Sequence, residues 1–594
     1  MPSRPLAKLP AAKPALLAIA QLDARLLAAS ALAFVSLLYL AYRVRADRKR
    51  VLLLDFAAWK GRKELASRQD WMMDRFREVG VSEDNIAFMV RCANRSGVSE
   101  HALLPHLMIV PYDHPERPFN RYVDRLTIDE ARVEAEMVIF ETVAEVLEKT
   151  NLRPRDIDFL IVNCSLFVPT PSLSAMVANH FKMRADCVNY NLGGMGCSAG
   201  MIAVDLAARL LRDRPGSYAL VVSTENVTQN AYFGNNKSML IPNALFKAGC
   251  AASILTNVRA ERARAKYELD RVVRVSHAAD SDAYRCVYQR EDEEGHVGVE
   301  LSRDIVKVAA RSLQANLTKL GPRFLPFSEQ IKFAVDFLAR RHFGRKGGAP
   351  YVPKFGGAFD HFCLHAGGRG VVDGLSKQLG LDARQASPSW HSLFWYGNTS
   401  SASVWYALGF IESCQKVRKG DLVWQVGFGS GFKCNSAVWR ALRTMEGVPH
   451  GAWDHMGGAG NREAVDVMLR NGGVSQGPDA PVCYGRGPSE IPYPPVPDVV
   501  ATVSTRSGGV PPAAASAASP RKLGRGSSAG ASKKEGKEAN GNGNGAAAAS
   551  AASDDGTGGP TSRPYFVAGP NEVLPPGRSR STPPRPRRSP RNAE

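Results

Sequence analysis

Asn191-Leu-Gly-Gly-Met-Gly-Cys197-Ser-Ala-Gly200 stands between a short apolar strand, Cys187 to Leu192, and an amphipathic helical pattern over Met201 to Leu211. The three glycines inside it permit a sharp strand-to-helix turn, which leaves Cys197 at the helix N-terminus. Free N–H groups and the positive end of the helix dipole favour a thiolate there, so Cys197 reads as an activated nucleophile. A tight turn around a small buried residue is the structural alternative.

Three further segments share this glycine punctuation. Phe362-Cys-Leu-His365-Ala-Gly-Gly368 puts His365 at the end of a strand, where an imidazole can hydrogen-bond a thioester carbonyl or exchange a proton with Cys197. His361 shares a strand face with Cys363 and His365 under strict alternation. Tyr396-Gly-Asn398-Thr-Ser-Ser401 introduces a helical pattern ending at Glu412; Asn398 either caps that helix or donates its amide to a developing oxyanion. Gly427-Phe-Gly-Ser430-Gly431, after the strand Leu422 to Val426, offers the Ser430 N–H as a backbone donor. All four segments fall where a strand ends and a helix can begin, the edge at which open α/β sheets hold ligands. A thiol, an imidazole, an amide and backbone donors are what acyl transfer through a thioester requires. The sequence has no HExxH, no GK[ST] phosphate loop and no Cys/His cluster with zinc spacing, so no metal site is assigned.

The chain has 594 residues, 22% of them charged and 44% hydrophobic, with a formal charge of +19. Residues 1–50 carry nine Lys/Arg against two Asp/Glu, residues 501–594 fourteen against six, and these +7 and +8 leave +4 for the body between them. A nearly balanced body lacks the basic stripe of a nucleic-acid surface, and no nucleic-acid partner is expected. Ten cysteines without CxxC spacing point to a reducing compartment. Leu26 to Tyr42 is 17 residues without a charge, about 25 Å of helix. Arg43, Arg45, Arg48, Lys49 and Arg50 follow it, the reverse of a cleaved signal peptide, so residues 1–50 read as a retained membrane anchor with the rest of the chain in the cytosol.

From Val51 to Met445 apolar runs (Asp158–Asn163, Tyr218–Ser223, Phe359–Leu364, Leu422–Val426) alternate with helical patterns, including Glu134–Glu148. Such alternation predicts a layered α/β body, and its length predicts two lobes, 51–270 with the nucleophile and 271–446 with the histidine and asparagine. Residues 447–594 turn to Gly, Ala, Ser, Pro and Arg, as in GNGNGAAAASAAS, and are expected to be a low-complexity, mostly disordered tail.

These segments, with EAEMVIF (134–140), VNCSLFVPTPSLSAMV (162–177), YFGNNKSMLIPN (232–243) and SGFKCNSAVWRAL (430–442), closely resemble the plant-type 3-ketoacyl-CoA synthases, the membrane-bound condensing enzymes of very-long-chain fatty acid elongation. The resemblance covers Val51 to Leu442. It implies a thiolase-type αβαβα fold of two related lobes, a homodimer, an endoplasmic reticulum anchor and other elongation enzymes as partners. It assigns Cys197 as the acyl acceptor from acyl-CoA, and His365 and Asn398 as the pair that binds malonyl-CoA and assists loss of CO2. The oxyanion of the condensation then faces the N–H groups of Cys197 and Ser430. His277 and His361 match family histidines of lower rank, and neither a metal nor a redox cofactor is implied. Two departures stand out. Phe394 occupies a position where the family usually has His, in LHRFGN, with His391 three residues earlier; and one apolar segment is convincing where the family commonly has a pair. The rival readings are a type III polyketide synthase-like condensing enzyme and a catalytically impaired scaffold of an elongation complex.

Overall fold

Apolar runs bounded by turn residues form strands close to where the sequence places them. The computed structural model describes residues 50–456, apart from 63–64, 67–68, 100, 106–125, 343–350 and 352. Its strands are β1 (Leu52–Ala58), β2 (Phe159–Asn163), β3 (Val188–Leu192), β4 (Tyr218–Glu225), β5 (Gly249–Thr256), β6 (Tyr267–Ser276), β7 (Val287–Glu291), β8 (Val297–Leu301), β9 (His361–Leu364), β10 (Lys416–Val417), β11 (Leu422–Gly429), β12 (Lys433–Ala441) and β13 (Met445–Glu446). The helices that matter below are α1 (Gln69–Glu78), α2 (Glu83–Ser96), α3 (Ile128–Thr150), α4 (Leu173–His180), α5 (Ala199–Asp213), α6 (Lys237–Leu245), α7 (Ile305–Phe324), α8 (Phe327–His342), α9 (Arg369–Leu379), α10 (Ala383–Tyr396) and α11 (Ser403–Cys414).

One large mixed sheet runs β3-β2-β4-β5-β1-β6-β12-β11-β9. Its first five strands come from Leu52–Thr256 and its last four from Tyr267–Ala441. The two sets meet where Leu52 and Leu53 pair with Glu268 and Tyr267. Because side chains alternate along a strand, each strand feeds two cores. Ile161, Val221, Leu255, Val423 and Trp439 join α5 and α11 in one apolar cluster shared by both strand sets. Leu160, Val162, Leu220 and Ile254 face α3 and α4 instead. Phe362, Trp424 and Val438 pack with α7 and α9. Each fully buried aliphatic or aromatic side chain is worth about 1.5–3 kcal/mol, so the register that sorts these residues is strongly specified.

A charged cluster closes the seam. Lys266, 2% exposed, donates to Asp55 on β1 (2.6 Å) and to Glu412 on α11 (2.7 Å). The His450 imidazole lies 2.7 Å from the same Glu412 oxygen, and Lys149 lies 3.2 Å from its other nitrogen.

Three boundaries differ from expectation. Helix α3 starts at Ile128 rather than Glu134, because the Thr127 hydroxyl accepts the Glu130 N–H and caps an acidic first turn. The helix expected from Ser400 begins as a 3₁₀ turn, Ser400–Ala402, and becomes α-helical at Ser403. The body also extends past residue 446. Gly451–Met456 forms a further 3₁₀ segment, with Trp453 buried and its indole N–H donating to the Tyr406 carbonyl (2.9 Å). Among the described residues no helix is long and apolar enough to cross a membrane; the expected anchor, Leu26–Tyr42, and the rest of the expected tail lie outside them.

Candidate active site

The Cys197 turn is built by close approach of backbone. After β3, Gly194 and Gly196 take φ of +64° and +74°, and α5 begins at Ala199. A Cβ on Gly196 would stand 2.2 Å from the Ser430 nitrogen, so only glycine lets the Cys197 turn lie against the end of β11. Gly427 and Gly429 make the reciprocal approach to Ser198 and to the Met195–Gly196 backbone. Gly196-Cys-Ser198-Ala-Gly200 also has the spacing of a serine elbow. Ser198, however, is 1% exposed and its hydroxyl accepts the Asn435 amide (2.9 Å), whereas Cys197 keeps some exposure.

Ser400 ties this turn to His365 and Asn398. It is held in the left-handed region, φ +53°, at a cost of roughly 1–2 kcal/mol for a residue with a Cβ. Its N–H donates to Asn398 Oδ1 (2.9 Å) and its hydroxyl donates to Glu225 Oε2 (2.9 Å). Its carbonyl accepts the Ser403 hydroxyl (2.9 Å). The Ser403 oxygen lies 2.9 Å from His365 Nδ1. With the Ser403 proton given to Ser400, Nδ1 must carry the imidazole hydrogen, leaving Nε2 as the basic nitrogen. Asn398 makes the capping contact. Its oxygen caps the Ser400 turn, which turns Nδ2 away as the donor, with only a long contact to the Gly367 carbonyl (3.4 Å). The Ser400 hydroxyl also faces Cys197: its one proton goes to Glu225 at rest, and a thiolate at Cys197 would draw it to sulfur, which lowers the thiol pKa.

Electrostatics correct one expectation. Burial pushes the Cys197 thiol up to about 12, outweighing the Ser400 hydroxyl and its own N–H, and the nearby Glu225 charge adds to the rise. Burial likewise lowers His365 to about 4. At neutral pH the resting pair is thiol and neutral imidazole, not the preformed thiolate that the helix terminus suggested. The dipole is overridden because desolvation penalises the anion more than one helix end rewards it.

Beside this constellation lies a small apolar cleft, partly open to solvent, lined among others by Met72, Phe76, Leu104, Leu166 and Phe246. Phe246 pairs with Asn398 through an isolated parallel bridge, and the Leu166 N–H donates to Glu225 Oε1 (2.8 Å). The cleft and the polar groups therefore share walls.

The family described as FAE1/type III polyketide synthase-like protein matches residues 42–342, and the C-terminal part of 3-oxoacyl-[acyl-carrier-protein] synthase III matches residues 357–441. The chain is 47% identical over 421 residues to 3-ketoacyl-CoA synthase 2 of Arabidopsis thaliana, covering 70% of this chain and 77% of that one. It is 49% identical over 371 residues to 3-ketoacyl-CoA synthase 6 of the same plant, covering 62% and 72%. The chain belongs to the 3-ketoacyl-CoA synthases. As this family's member it shares its fold with type III polyketide synthases. A pentaketide synthase from Neurospora crassa superposes with a TM-score of 0.52 at 19% identity, covering 66% of this chain and 99% of that one. The polyketide synthase domain of Steely1 from Dictyostelium gives 0.51 at 18%, with the same coverage.

Within this 3-ketoacyl-CoA synthase the remaining candidates lie elsewhere. His361 sits at the far end of β9, about 13 Å along the strand from His365, held between Asp421 (3.2 Å) and Gln415 (3.4 Å). Its described contacts support packing and join it to none of the groups around Ser400. His277 follows β6, where its N–H donates to the Phe432 carbonyl (2.9 Å). Phe394 lies edge-on to Trp395, and its carbonyl accepts the Ser99 N–H (2.9 Å) and hydroxyl (2.6 Å). His391 stacks on Phe410 at 4.4 Å and, among the described residues, neither ring nitrogen has a partner.

Three residues were not singled out in the sequence. Ser400 was hidden in a run of hydroxyls, and Glu225 appeared only as a carboxylate ending an apolar strand. Lys247, 2% exposed, is the third: it has no described ion-pair partner, burial lowers it to about 8, and its N–H donates to the Asn398 carbonyl (3.2 Å).

Proposed function

We propose that the protein is a 3-ketoacyl-CoA synthase that joins malonyl-CoA to a long-chain acyl-CoA through an acyl-Cys197 intermediate, giving a 3-ketoacyl-CoA two carbons longer. The observation that carries this reading is the Ser400 hub, which holds an imidazole and an amide in one hydrogen-bonded set beside the Cys197 thiol. Cys197 gives its proton to His365 Nε2 as sulfur attacks the acyl-CoA carbonyl. Coenzyme A leaves as the thiol, taking that proton, and the acyl group stays on Cys197. Asn398 Nδ2 then steadies the malonyl thioester carbonyl while CO2 departs. The enolate carbon attacks acyl-Cys197, and the new oxyanion is met by the N–H groups of Cys197 and Ser430. That attack forms the carbon–carbon bond; collapse of the oxyanion re-forms the carbonyl and breaks the carbon–sulfur bond, and the expelled Cys197 thiolate takes a proton from solvent.

In this reading His365 and Asn398 stabilise the enolate, and His277 and His361 serve structure. The apolar cleft beside Phe246 marks the side from which the acyl chain enters. The five- and four-strand sets correspond to two related lobes of an αβαβα fold, with boundaries near 51–270 and 271–446. We further assign an endoplasmic reticulum membrane location with the catalytic body in the cytosol, a homodimer, and other elongation enzymes as partners. Acyl-CoA and malonyl-CoA are the substrates, and the chemistry calls on neither metal nor redox cofactor. Microsomes carrying Cys197→Ala should make no 3-ketoacyl-CoA from labelled malonyl-CoA and a long acyl-CoA. Undiminished product would overturn the assignment, and products of repeated condensation would favour the polyketide synthase reading.

A further inference from the structure

Helix α8 (Phe327–His342) is turned inside out. Its acidic residues face the body: Glu329 is buried and accepts from the Tyr351 hydroxyl (2.5 Å), the Lys354 N–H (2.9 Å) and Lys332 (2.9 Å), while Asp336 accepts the Tyr351 N–H (2.9 Å). Its large apolar residues face outward. Phe327, Ile331, Val335 and Leu338 share one face at 3.6 residues per turn, with Phe327 76% and Val335 61% exposed. Phe333 and Phe337, stacked on each other, extend the exposed arc further round the helix. An ordinary surface helix shows the reverse pattern, and exposed apolar patches of this kind mark a contact with an apolar phase.

We propose that α8 lies in the surface plane of a lipid bilayer, with its apolar arc among the acyl chains and Lys332 and Arg341 at the headgroups. At 16 residues it is about 24 Å long, too short and too polar on one side to cross, but suited to lying flat. The charge pattern names the partner. Both acidic side chains point inward, and the exposed charge is cationic: Lys332 borders the arc beyond Val335, and Arg341 lies in the last turn between Phe337 and Leu338, from where its long side chain reaches the headgroups, as an anionic lipid surface requires. The breadth of the arc also fits a fluid apolar solvent better than a shaped protein groove, which takes a narrow stripe. The site is separate from the Cys197 constellation, and the proposal stands whether or not the condensing activity does.

The test uses the full chain in nanodiscs of phosphatidylcholine and phosphatidylserine, with an environment-sensitive fluorescent amino acid at position 335 or, as control, at exposed position 155. Position 335 should emit to the blue and be quenched by doxyl-labelled lipid, and position 155 should do neither. Emission from 335 like that from 155 would overturn the proposal; so would a blue shift insensitive to the lipid quencher, which would mean a protein, such as a second copy, covers α8. Hydrogen exchange on the unmodified chain guards against a probe that perturbs folding. The α8 amides should exchange more slowly in nanodiscs than in amphipol, and equal rates would count against lipid contact.

Discussion

Ser400 keeps a strained backbone angle because its N–H, hydroxyl and carbonyl are all hydrogen-bonded, and its hydroxyl faces both Glu225 and Cys197. A hydrogen bond to a charged partner is worth about 1.5–3 kcal/mol, or tenfold and more in thiolate population. Ser400→Ala removes the hydroxyl that can turn from Glu225 to a forming thiolate, so the Cys197 pKa rises and alkylation by iodoacetamide at a given pH slows, by up to about tenfold. Glu225→Gln removes a negative charge that disfavours the thiolate, so its alkylation profile moves to lower pH. Mass spectrometry of Cys197 modification across a pH series measures both, and faster alkylation of Ser400→Ala would refute the arrangement. The positions of Cys197, His365 and Asn398 at element ends were legible because glycines mark the adjoining turns. Glu225 and Ser400 were not, since 175 positions separate them and only the fold brings the end of β4 beneath the turn before α11. The thiolate expectation failed for the same reason: a helix terminus can be read from sequence, but the burial that outweighs it cannot.

At the scale of elements, the Cys197 turn and the end of β11 act as a single unit held by missing side chains. Gly196→Ala places a Cβ 2.2 Å from the Ser430 nitrogen at a φ of +74°. The turn must shift, and with it the backbone donors proposed for the oxyanion. Losing one such donor costs about 10²–10³ in kcat, so Gly196→Ala should lose at least that in product formation while the acyl-CoA still binds; single-turnover assays separate the two. Activity close to the parent's would show that Ser430 contributes nothing. Strand positions along this edge were readable from apolar runs, and β2, β4, β9 and β11 fall within a few residues of expectation. The ends of helices were less so. The start of α3 is decided by the Thr127 cap, outside the apolar periodicity, and that of α11 by the bonds that hold Ser400 out of helical geometry.

For the whole molecule, the balanced charge of the body conceals a concentrated arrangement at the seam. Lys266 neutralises Asp55 and Glu412 in a buried setting, and no pattern in the sequence marks residues 211 and 146 positions apart as partners. Removing one member of such a cluster leaves uncompensated buried charge at a cost of about 3–5 kcal/mol. Lys266→Met should lower unfolding stability by that amount in urea, and a change below about 1 kcal/mol, the range of an exposed pair, would show the cluster to be solvated. The seam has a further consequence. Cys197 belongs to the five-strand side of the sheet, and His365 and Asn398 belong to the other, with only two residue pairs joining the strands between them. Neither side holds all three of the residues proposed for the reaction before the two have docked. A mechanism-based acylating reagent that needs both thiol and imidazole therefore serves as a census of finished molecules: its stoichiometry in a preparation reports the fraction of chains whose halves have come together, which total thiol content cannot.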